Sequence, residues 1–302
     1  MIPFVRDFEF AYGEPDQVSP LIRRVIARNP GPFTFTGTGT YIIGRGEVAV
    51  IDPGPDLPEH LEAILNAVEG ETVRAILVTH NHADHSPLAR PLQDATGAVT
   101  YGCPLAHVPA AVLVKVEDEH DLGFVADENL CGGGTVAGPG WTFDAIPTPG
   151  HTSNHICYGL REENALFSGD HIMGWSTTVI VPPDGEMGDY YASLDKVAAL
   201  NFSTLWPTHG PPITQPAPFI AAYKAHRLER EQQILTLLAR GMSTIGEMVP
   251  VMYAAVDKRL HPAAAQSVLA HMIHLVRTGA VAAGGDAVML SSRFRIVAAQ
   301  AP

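Results

Sequence analysis

Several common sequence features are scarce in this chain of 302 residues. Its three cysteines, Cys103, Cys131 and Cys157, are too few and too scattered for a disulfide framework or a cysteine-based zinc cluster. No uninterrupted apolar run reaches the roughly 18 residues that a membrane-spanning helix needs, so we expect no integral membrane protein. The N-terminus lacks the basic and then apolar pattern of a signal peptide, and we therefore expect a cytoplasmic location.

Motifs for several other catalytic chemistries are weak or missing. No Cys-His-Asp or Gly-x-Ser-x-Gly arrangement is present. Ser193-Leu194-Asp195-Lys196 fits the Ser-x-x-Lys motif of serine β-lactamases, but it lies on a predicted amphipathic helix and its partner motifs are missing. Gly132-Gly133-Gly134 does not form a phosphate-loop pattern. Catalysis by a nucleophilic serine or cysteine is therefore not expected.

Basic residues are scarce in most of the chain, and the charge is unevenly distributed. Residues 1–220 carry 10 Lys and Arg against 27 Asp and Glu, whereas residues 221–302 carry 9 against 5. A proline-rich stretch at 211–218 separates the two parts. We therefore predict a catalytic domain over 1–218 and a helical domain over 219–302. The charge run at 117–121 is predicted to be a solvated surface segment.

Short strands and helices follow each other irregularly in the first domain. The predicted strands cover 40–44, 48–51, 73–78, 99–101, 141–146, 156–158, 165–167 and 204–206. The predicted helices cover 57–68 and 190–200. Because some strands follow each other directly, this order favours an α/β sandwich with outer helices over a regular doubly wound fold.

The second domain has a different pattern. Helical patterns cover 219–240, 244–256 and 262–277. Two short runs, 280–283 and 287–290, are predicted to form a hairpin around Gly284-Gly285-Asp286. Three helices followed by a hairpin is the order of a winged helix-turn-helix, a domain that either binds nucleic acid or only packs against a partner.

The densest group of metal-ligating side chains follows the predicted strand 73–78 directly. Thr79-His80-Asn81-His82-Ala83-Asp84-His85 places three imidazoles and a carboxylate within six residues. Two histidines one residue apart can bind one cation, and the adjacent Asp-His pair can turn to a second. Neutral imidazole and carboxylate are ligands that suit zinc, manganese and iron. The loop therefore predicts a metal site.

Further candidate ligands follow other predicted strands. His151 lies in Pro-Thr-Pro-Gly-His-Thr, Asp170 in Phe-Ser-Gly-Asp-His, and His209 in Pro-Thr-His-Gly-Pro. Each of them alone is a weak signal. Together they place the required ligand types after successive strands, in the loops where binding sites tend to lie.

The pattern His-x-His-x-Asp-His at residues 80–85 resembles the ligand motif of the metallo-β-lactamase fold superfamily. His151, Asp170 and His209 follow in the order and contexts of that family, and Asp52 closes a strand as in its first motif. The resemblance spans about residues 35–215. It implies a four-layer αβ/βα sandwich with the site at one edge of the two sheets, followed here by a small winged-helix-like domain.

The resemblance also implies a set of ligands for two divalent metal ions, most readily zinc, with manganese or iron as alternatives. The first ion takes His80, His82 and His151; the second takes Asp84, His85 and His209; and Asp170 bridges both. Asp52 is implied to orient the ligand loop by hydrogen bonds. His155 and His171 are expected to support ligands or to contact substrate.

The implied reaction is hydrolysis. Two cations about 3.5–4 Å apart lower the pKa of a bridging water, and the resulting hydroxide is the nucleophile. Asp84 orients this water or takes its proton, and is the predicted catalytic residue. Asp170 stands where the common zinc β-lactamases place a cysteine, so hydrolysis of antibiotics is not expected.

The winged-helix-like tail and the stretch Thr177-Thr178-Val179 extend the resemblance to the beta-lactamase-like protein 2 branch, over nearly the whole chain. This branch implies a single-strand endoribonuclease, and the basic tail is then expected to hold RNA. One departure is Ser86-Pro87-Leu88, because the branch usually has a glycine pair one residue after the Asp-His pair.

Three alternatives remain open. One is a thioester or lactone hydrolase of glyoxalase II type, with a small-molecule ester or thioester as substrate. Another is a nucleic-acid-binding regulatory protein with a vestigial metal site, although the intact set of seven ligands argues against it. The third is an iron-based redox member of the superfamily. The helical tail is in addition a candidate surface for a homodimer.

Overall fold

Two β-sheets lie face to face at the centre of the structure, a computed structural model that describes residues 1–105, 120–285 and 287–297. The first sheet has the order β1 (Asp16–Gln17), β2 (Ile22–Ile26), β3 (Gly39–Arg45), β4 (Glu47–Ile51), β5 (Thr72–Leu77), β6 (Val99–Gly102) and β7 (Glu128–Asn129). The second has the order β12 (Thr204–Pro207), β11 (Ala165–Gly169), β10 (Ile156–Leu160), β9 (Trp141–Pro147) and β8 (Gly134–Gly138). Strands β4 to β7 pair in parallel, as do β11 and β12.

Helices cover the outer faces of both sheets and build the C-terminal part of the chain. They are α1 (Pro58–Ala67), α2 (Ala89–Thr96), α3 (Met187–Ala199), α4 (Pro216–Ala239), α5 (Ile245–Met252) and α6 (His261–Arg277). Helices α1 and α2 pack on the first sheet, and α3 and the first half of α4 pack on the second. The predicted αβ/βα sandwich is confirmed. None of the helices in the described part of the chain combines the length and the apolar composition that crossing a membrane requires.

The alternation of side chains along the inner strands builds this layering. In β4, Val48 and Val50 pack towards α1, whereas Ala49 and Ile51 pack between the sheets. Successive side chains of a strand point to opposite faces, so a strand covered on both faces is apolar throughout. Aromatic residues fill the space between the sheets, including Phe143 at 0% exposure.

Helix α4 contributes to two hydrophobic cores. Phe219 and Tyr223, near its start, pack with α3 against the second sheet. Ile234 and Leu237, near its end, pack with α5 and α6. The division into 1–218 and 219–302 stays a prediction. Helix α4 spans this boundary and contributes side chains to both hydrophobic cores.

A capping box begins α5, because Thr244 accepts from the Glu247 amide and the Glu247 carboxylate accepts from the Thr244 amide.

The C-terminal hairpin differs from its prediction. Strand β13 (Val281–Ala283) pairs with β14 (Phe294–Ile296), and not with residues 287–290. Met289 donates its amide to the Ser292 side chain, and the Ser292 amide donates to the Met289 carbonyl. These bonds fold residues 289–292 into a turn. Strand β14 pairs with β13 in place of residues 287–290, and its Phe294 side chain is buried in the core.

One bond was not predicted, and one other expectation needs correction. Cys103 and Cys131 form a disulfide bond, which joins the end of β6 to the loop after β7. In the charge run 117–121, residues 117–119 lie outside the described residues, but His120 and Asp121 are half-buried and contact the metal-ligating loop. These two residues are therefore not a solvated surface segment.

The ends of several strands meet at one edge of the sandwich. The loops after β4, β5, β9, β11 and β12 begin there, and they carry Asp52, residues 79–85, His151, Asp170 and His209 respectively. Backbone hydrogen bonds between the sheets join these loops: Ile156 donates to the Thr79 carbonyl, and Gly39 donates to the Thr208 carbonyl. The fold therefore brings together side chains that lie far apart in the sequence.

Candidate metal centre

Three imidazoles meet on one side of the centre. The Nδ1 atom of His82 lies 2.9 Å from Nε2 of His80 and 3.2 Å from Nε2 of His151. The Nδ1 atom of His151 donates to the Val179 carbonyl at 2.7 Å, so the neutral ring carries its lone pair on Nε2. Thr79 donates its hydroxyl proton to Asp52 at 2.8 Å, so the same oxygen accepts from Nδ1 of His80. His80 therefore also presents a lone pair on Nε2.

The carboxylate of Asp52 fixes the other side of the centre. It is 0% exposed and accepts from the Thr79 amide at 2.8 Å. It also accepts from Nδ1 of His85 and from the Thr208 hydroxyl, each at 2.9 Å. Asp52 thus orients the start of the ligand loop, the His85 ring and the residue before His209. These hydrogen bonds fit the supporting role that the resemblance implies for Asp52.

Two carboxylates face the remaining imidazoles. Asp84 Oδ2 lies 3.0 Å from Nε2 of His209, and Asp170 Oδ1 lies 3.5 Å from the same nitrogen. Asp84 Oδ2 and Asp170 Oδ1 lie 3.5 and 3.6 Å from Nε2 of His85. The Nδ1 atom of His209 donates to the Gly37 carbonyl at 3.2 Å, so its Nε2 also points inward with a lone pair when the ring is neutral.

The protonation states follow from this geometry. Burial lowers the pKa values of His80 and His82 well below the usual range, and the neighbouring imidazoles lower them further. Burial alone would raise the pKa of Asp84, but His85 and the hydrogen bond from His209 outweigh it and hold the value at about 2. Burial likewise opposes the lowered pKa of Asp170, which His209 and His85 produce. At neutral pH His80 and His82 are thus neutral imidazoles, whereas Asp84 and Asp170 are ionised carboxylates.

Without a cation, the centre holds unfavourable contacts. A lone pair on His209 Nε2 would face a carboxylate oxygen at 3.0 Å, unless a proton or a cation lies between them. The carboxylates accordingly raise the pKa of His209, against the effect of burial. His85 Nε2 and Asp170 Oδ1 are buried and have no hydrogen-bond partner within the described part of the chain. A divalent cation satisfies all of these groups at once.

Three groups of side chains have the spacing that a metal ion needs, because their ligand atoms lie within 4.8 Å of one another. They are His80 with His82 and His151, His80 with His85 and Asp170, and Asp84 with His85 and His209. All seven predicted ligands belong to at least one group. The chemistry of the donor set fits divalent ions, and the overlap of the groups brings all seven residues into one cluster.

His155 and His171 lie beneath the centre. His155 accepts the Asp170 amide on Nε2 at 3.2 Å and bonds the Thr148 hydroxyl through Nδ1. It therefore holds the backbone of a candidate ligand. His171 is 0% exposed, and burial lowers its pKa to about 3. For both residues the choice between supporting a ligand and contacting substrate stays a prediction.

Other contacts to the centre were missed by the sequence reasoning. The ring of His120 lies 4.8 Å from that of His82, and the two residues form a backbone bridge. Asp121 accepts from the Ser86 hydroxyl at 2.8 Å, so Ser86 ties the ligand loop to this segment. Asp184 accepts from the Ser153 amide two residues after His151. The acidic run at 117–121 was the only signal in the sequence for His120 and Asp121.

Comparison with known proteins agrees with the fold and the ligand pattern. Residues 34–209 match the metallo-beta-lactamase superfamily model, which is more than half of the chain. This chain belongs to the metallo-beta-lactamase superfamily. Residues 244–288 match the beta-lactamase associated winged helix domain, which confirms the prediction for the tail.

Individual proteins are similar to this chain over most of its length. It is 33% identical over 227 residues to the Beta-lactamase-like protein 2 homolog of Caenorhabditis elegans, a match that covers 74% of this chain and 72% of the relative. It is 31% identical over 255 residues to the Atrochrysone carboxyl ACP thioesterase of Aspergillus chevalieri, covering 80% and 76%. A Beta-lactamase domain protein from Burkholderia ambifaria shares the fold, with a TM-score of 0.75 at 21% identity and 96% coverage of both chains.

Proposed function

We propose that this hydrolase of the metallo-beta-lactamase superfamily binds two divalent cations and hydrolyses a small-molecule thioester or ester. His80, His82 and His151 would hold the first cation, Asp84, His85 and His209 the second, and Asp170 both. The observation that supports this most strongly is the convergence of inward-pointing Nε2 atoms on two buried carboxylates. Zinc suits this donor set, and manganese or iron suit it as well.

Bound divalent cations supply a Lewis acid that lowers the pKa of water and polarises a carbonyl oxygen. The side chains prepare the site for that chemistry. Asp52 and the carbonyls of Val179 and Gly37 hold three ligand rings in the tautomer with a free Nε2. Asp84, with a pKa of about 2, orients a water by accepting its hydrogen bond more readily than it removes the proton.

The surroundings of the tail support a small substrate. Two of its basic groups are paired with carboxylates: Arg277 lies 2.8 Å from Glu186 and Arg259 lies 2.7 Å from Asp257. The third helix of the winged helix, α6, packs against α3 and not into open solvent: its His274 ring lies 5.3 Å from the Tyr191 ring. A helix held in this way is poorly placed to enter a nucleic-acid groove. The thioesterase among the relatives points to the same substrate class.

The other expectations stay predictions. Single-strand endoribonuclease activity is the main competitor, and it enters the experiment below as a separate arm. A purely regulatory nucleic-acid-binding protein is disfavoured by the complete ligand set. A homodimer through the helical tail and a cytoplasmic location are untested, and the Cys103–Cys131 disulfide is more typical of oxidising compartments.

The test uses the full chain, stripped of metal with a chelator and then loaded with zinc. It is given an acyl thioester of N-acetylcysteamine, the matching oxygen ester, a lactone and a labelled unstructured RNA. Zinc-dependent turnover of the thioester or ester, reduced about 10²–10⁴-fold in Asp84→Asn, supports the proposal. The exposed Asp94→Asn is the matched control and should retain full turnover. Zinc-dependent cleavage of RNA without thioester or ester turnover would overturn the substrate class.

A further inference from the structure

Helix α4 holds segment 176–179 with two buried side chains. The Tyr223 hydroxyl accepts the Thr178 amide at 2.6 Å and donates to the Ser176 carbonyl at 2.8 Å. Arg227, one turn further along α4, donates from Nη2 to the Thr178 carbonyl. Tyr223 and Arg227 lie between residues 209 and 244, outside both regions that match family models. The segment is therefore fixed from its outer side by α4.

The same segment supports the metal centre on its inner side. The Thr178 hydroxyl donates to the Asp170 carbonyl at 2.7 Å and to the His171 carbonyl at 3.0 Å. The next carbonyl, that of Val179, accepts Nδ1 of His151 at 2.7 Å. Four consecutive residues thus link α4 to the backbone of one candidate ligand and to the ring of another.

The burial of Arg227 costs free energy, and this cost points to a role for the residue at this position. The residue is 4% exposed, and among the described residues no carboxylate oxygen lies within 4.0 Å of its guanidinium nitrogens. Its partners are a carbonyl and the face of the Tyr190 ring, whose centroid lies 5.4 Å from Cζ. A buried charge without a counter-ion destabilises a fold. Tyr190 also donates to the His171 carbonyl at 2.7 Å, so both contacts of Arg227 lead to the loop of Asp170.

We propose that Tyr223 and Arg227 are positioning residues for the metal centre. Through Thr178 and Val179 they set the orientation of Asp170 and His151, and so the affinity and geometry of metal binding. The inference rests on the metal ligands assigned under the proposed function. It adds that α4 is part of the metal-binding apparatus, although α4 supplies no ligand.

The experiment measures metal binding directly in the full chain. Tyr223→Phe, Arg227→Met and Arg227→Lys are loaded with Co²⁺, and the visible absorption spectrum reports the coordination geometry. Zinc affinity is measured by competition with a chromophoric chelator. Tyr223→Phe and Arg227→Met should bind zinc about tenfold more weakly and show altered cobalt bands. Arg227→Lys, which keeps a cationic donor, should recover part of the affinity.

Glu231→Gln is the matched control. Glu231 lies on the same helix, one turn after Arg227, and accepts from Tyr191 at 2.9 Å and bonds His271 at 3.2 Å. These contacts dock α4 against α3 and α6 but do not lead to the metal centre. Glu231→Gln should therefore lower stability and leave the zinc affinity and the cobalt spectrum unchanged.

The outcomes separate this inference from the proposed function. A wild-type chain that binds neither zinc nor cobalt overturns both. A wild-type chain that binds metal, with Tyr223→Phe at the same affinity and spectrum, overturns only the positioning role. The positioning role is also overturned if zinc affinity and the cobalt spectrum change as much in Glu231→Gln as in Arg227→Met, because general loosening of α4 then explains the effect. Tyr223→Phe removes one oxygen atom and decides the question alone if Arg227→Met does not fold.

Discussion

The substitution Asp52→Asn isolates the role of the buried carboxylate in the centre. One oxygen of Asp52 accepts from the Thr79 amide, and the other accepts from the Thr79 hydroxyl, His85 Nδ1 and the Thr208 hydroxyl. An amide has only one oxygen. Its nitrogen must therefore face either the Thr79 amide, at 2.8 Å, or the group that includes His85. The two hydroxyls can rotate away, but the backbone amide and the imidazole cannot.

Both orientations carry a cost. If the amide nitrogen faces Thr79, a buried donor loses its acceptor. If it faces His85, the ring must move its proton from Nδ1 to Nε2, and the lone pair needed for a cation disappears. Losing one charge-assisted hydrogen bond and leaving a buried donor unpaired costs about 3 kcal/mol. We therefore expect the free energy of unfolding of the metal-free chain to fall by that amount, and zinc affinity to fall about 10–100-fold.

Urea unfolding of the metal-free chain and zinc competition titrations measure the two effects separately. The control is Asp94→Asn, the same chemical change at an exposed ion pair with Arg90, which should alter stability by less than about 0.5 kcal/mol. If Asp52→Asn unfolds at the wild-type urea concentration and binds zinc with wild-type affinity, the account of Asp52 as the organiser of the ligand loop is wrong.

Three further outcomes follow from the structure. Asp84→Asn should reduce zinc-saturated kcat about 10²–10⁴-fold with an unchanged circular dichroism spectrum, and full turnover would contradict its role. Gly150→Ala should lower the free energy of unfolding by more than about 2 kcal/mol, because Gly150 has φ 140° and a Cβ there would lie 2.4 Å from Tyr190 Cα; an unchanged melting temperature would refute this. Burial lowers the pKa of His60 from 6.5 to about 4, so the unfolded chain binds the proton first and stability is lost as the pH falls from 6.5 towards 4. His60→Gln should remove about 2 kcal/mol of the stability difference between pH 7.5 and pH 5 in urea titrations, and an unchanged pH dependence would count against a neutral His60.

The ligand cluster was predictable because its residues follow strands. His80, His82, Asp84 and His85 share one loop, and a dense polar loop after a buried apolar strand is a strong local signal. His151, Asp170 and His209 are weak signals singly, and only their common order and contexts made them interpretable. The sandwich was also predictable from the strands, because the inner strands are apolar on both faces.

The supporting residues were not predictable, because their roles depend on contacts between distant segments. Thr178 and Tyr223 are ordinary residues in the sequence, and only the packing of α4 brings them together. His120 stands in an acidic run, whose composition favours solvent, yet it contacts His82. Strand β2 was missed because the pair Arg23-Arg24 interrupts its apolar pattern, although Arg24 is buried against the Phe8 ring.

Titration of the metal-free chain with zinc, followed by thioester or ester hydrolysis, would show whether this cluster is a catalytic metal centre. We expect no turnover in the chelated chain, a rise in turnover that saturates near two zinc ions per chain, and loss of this rise in His151→Ala and Asp84→Asn. Turnover in the metal-free chain that zinc does not increase would contradict the claim that these buried histidines and carboxylates form the catalytic centre.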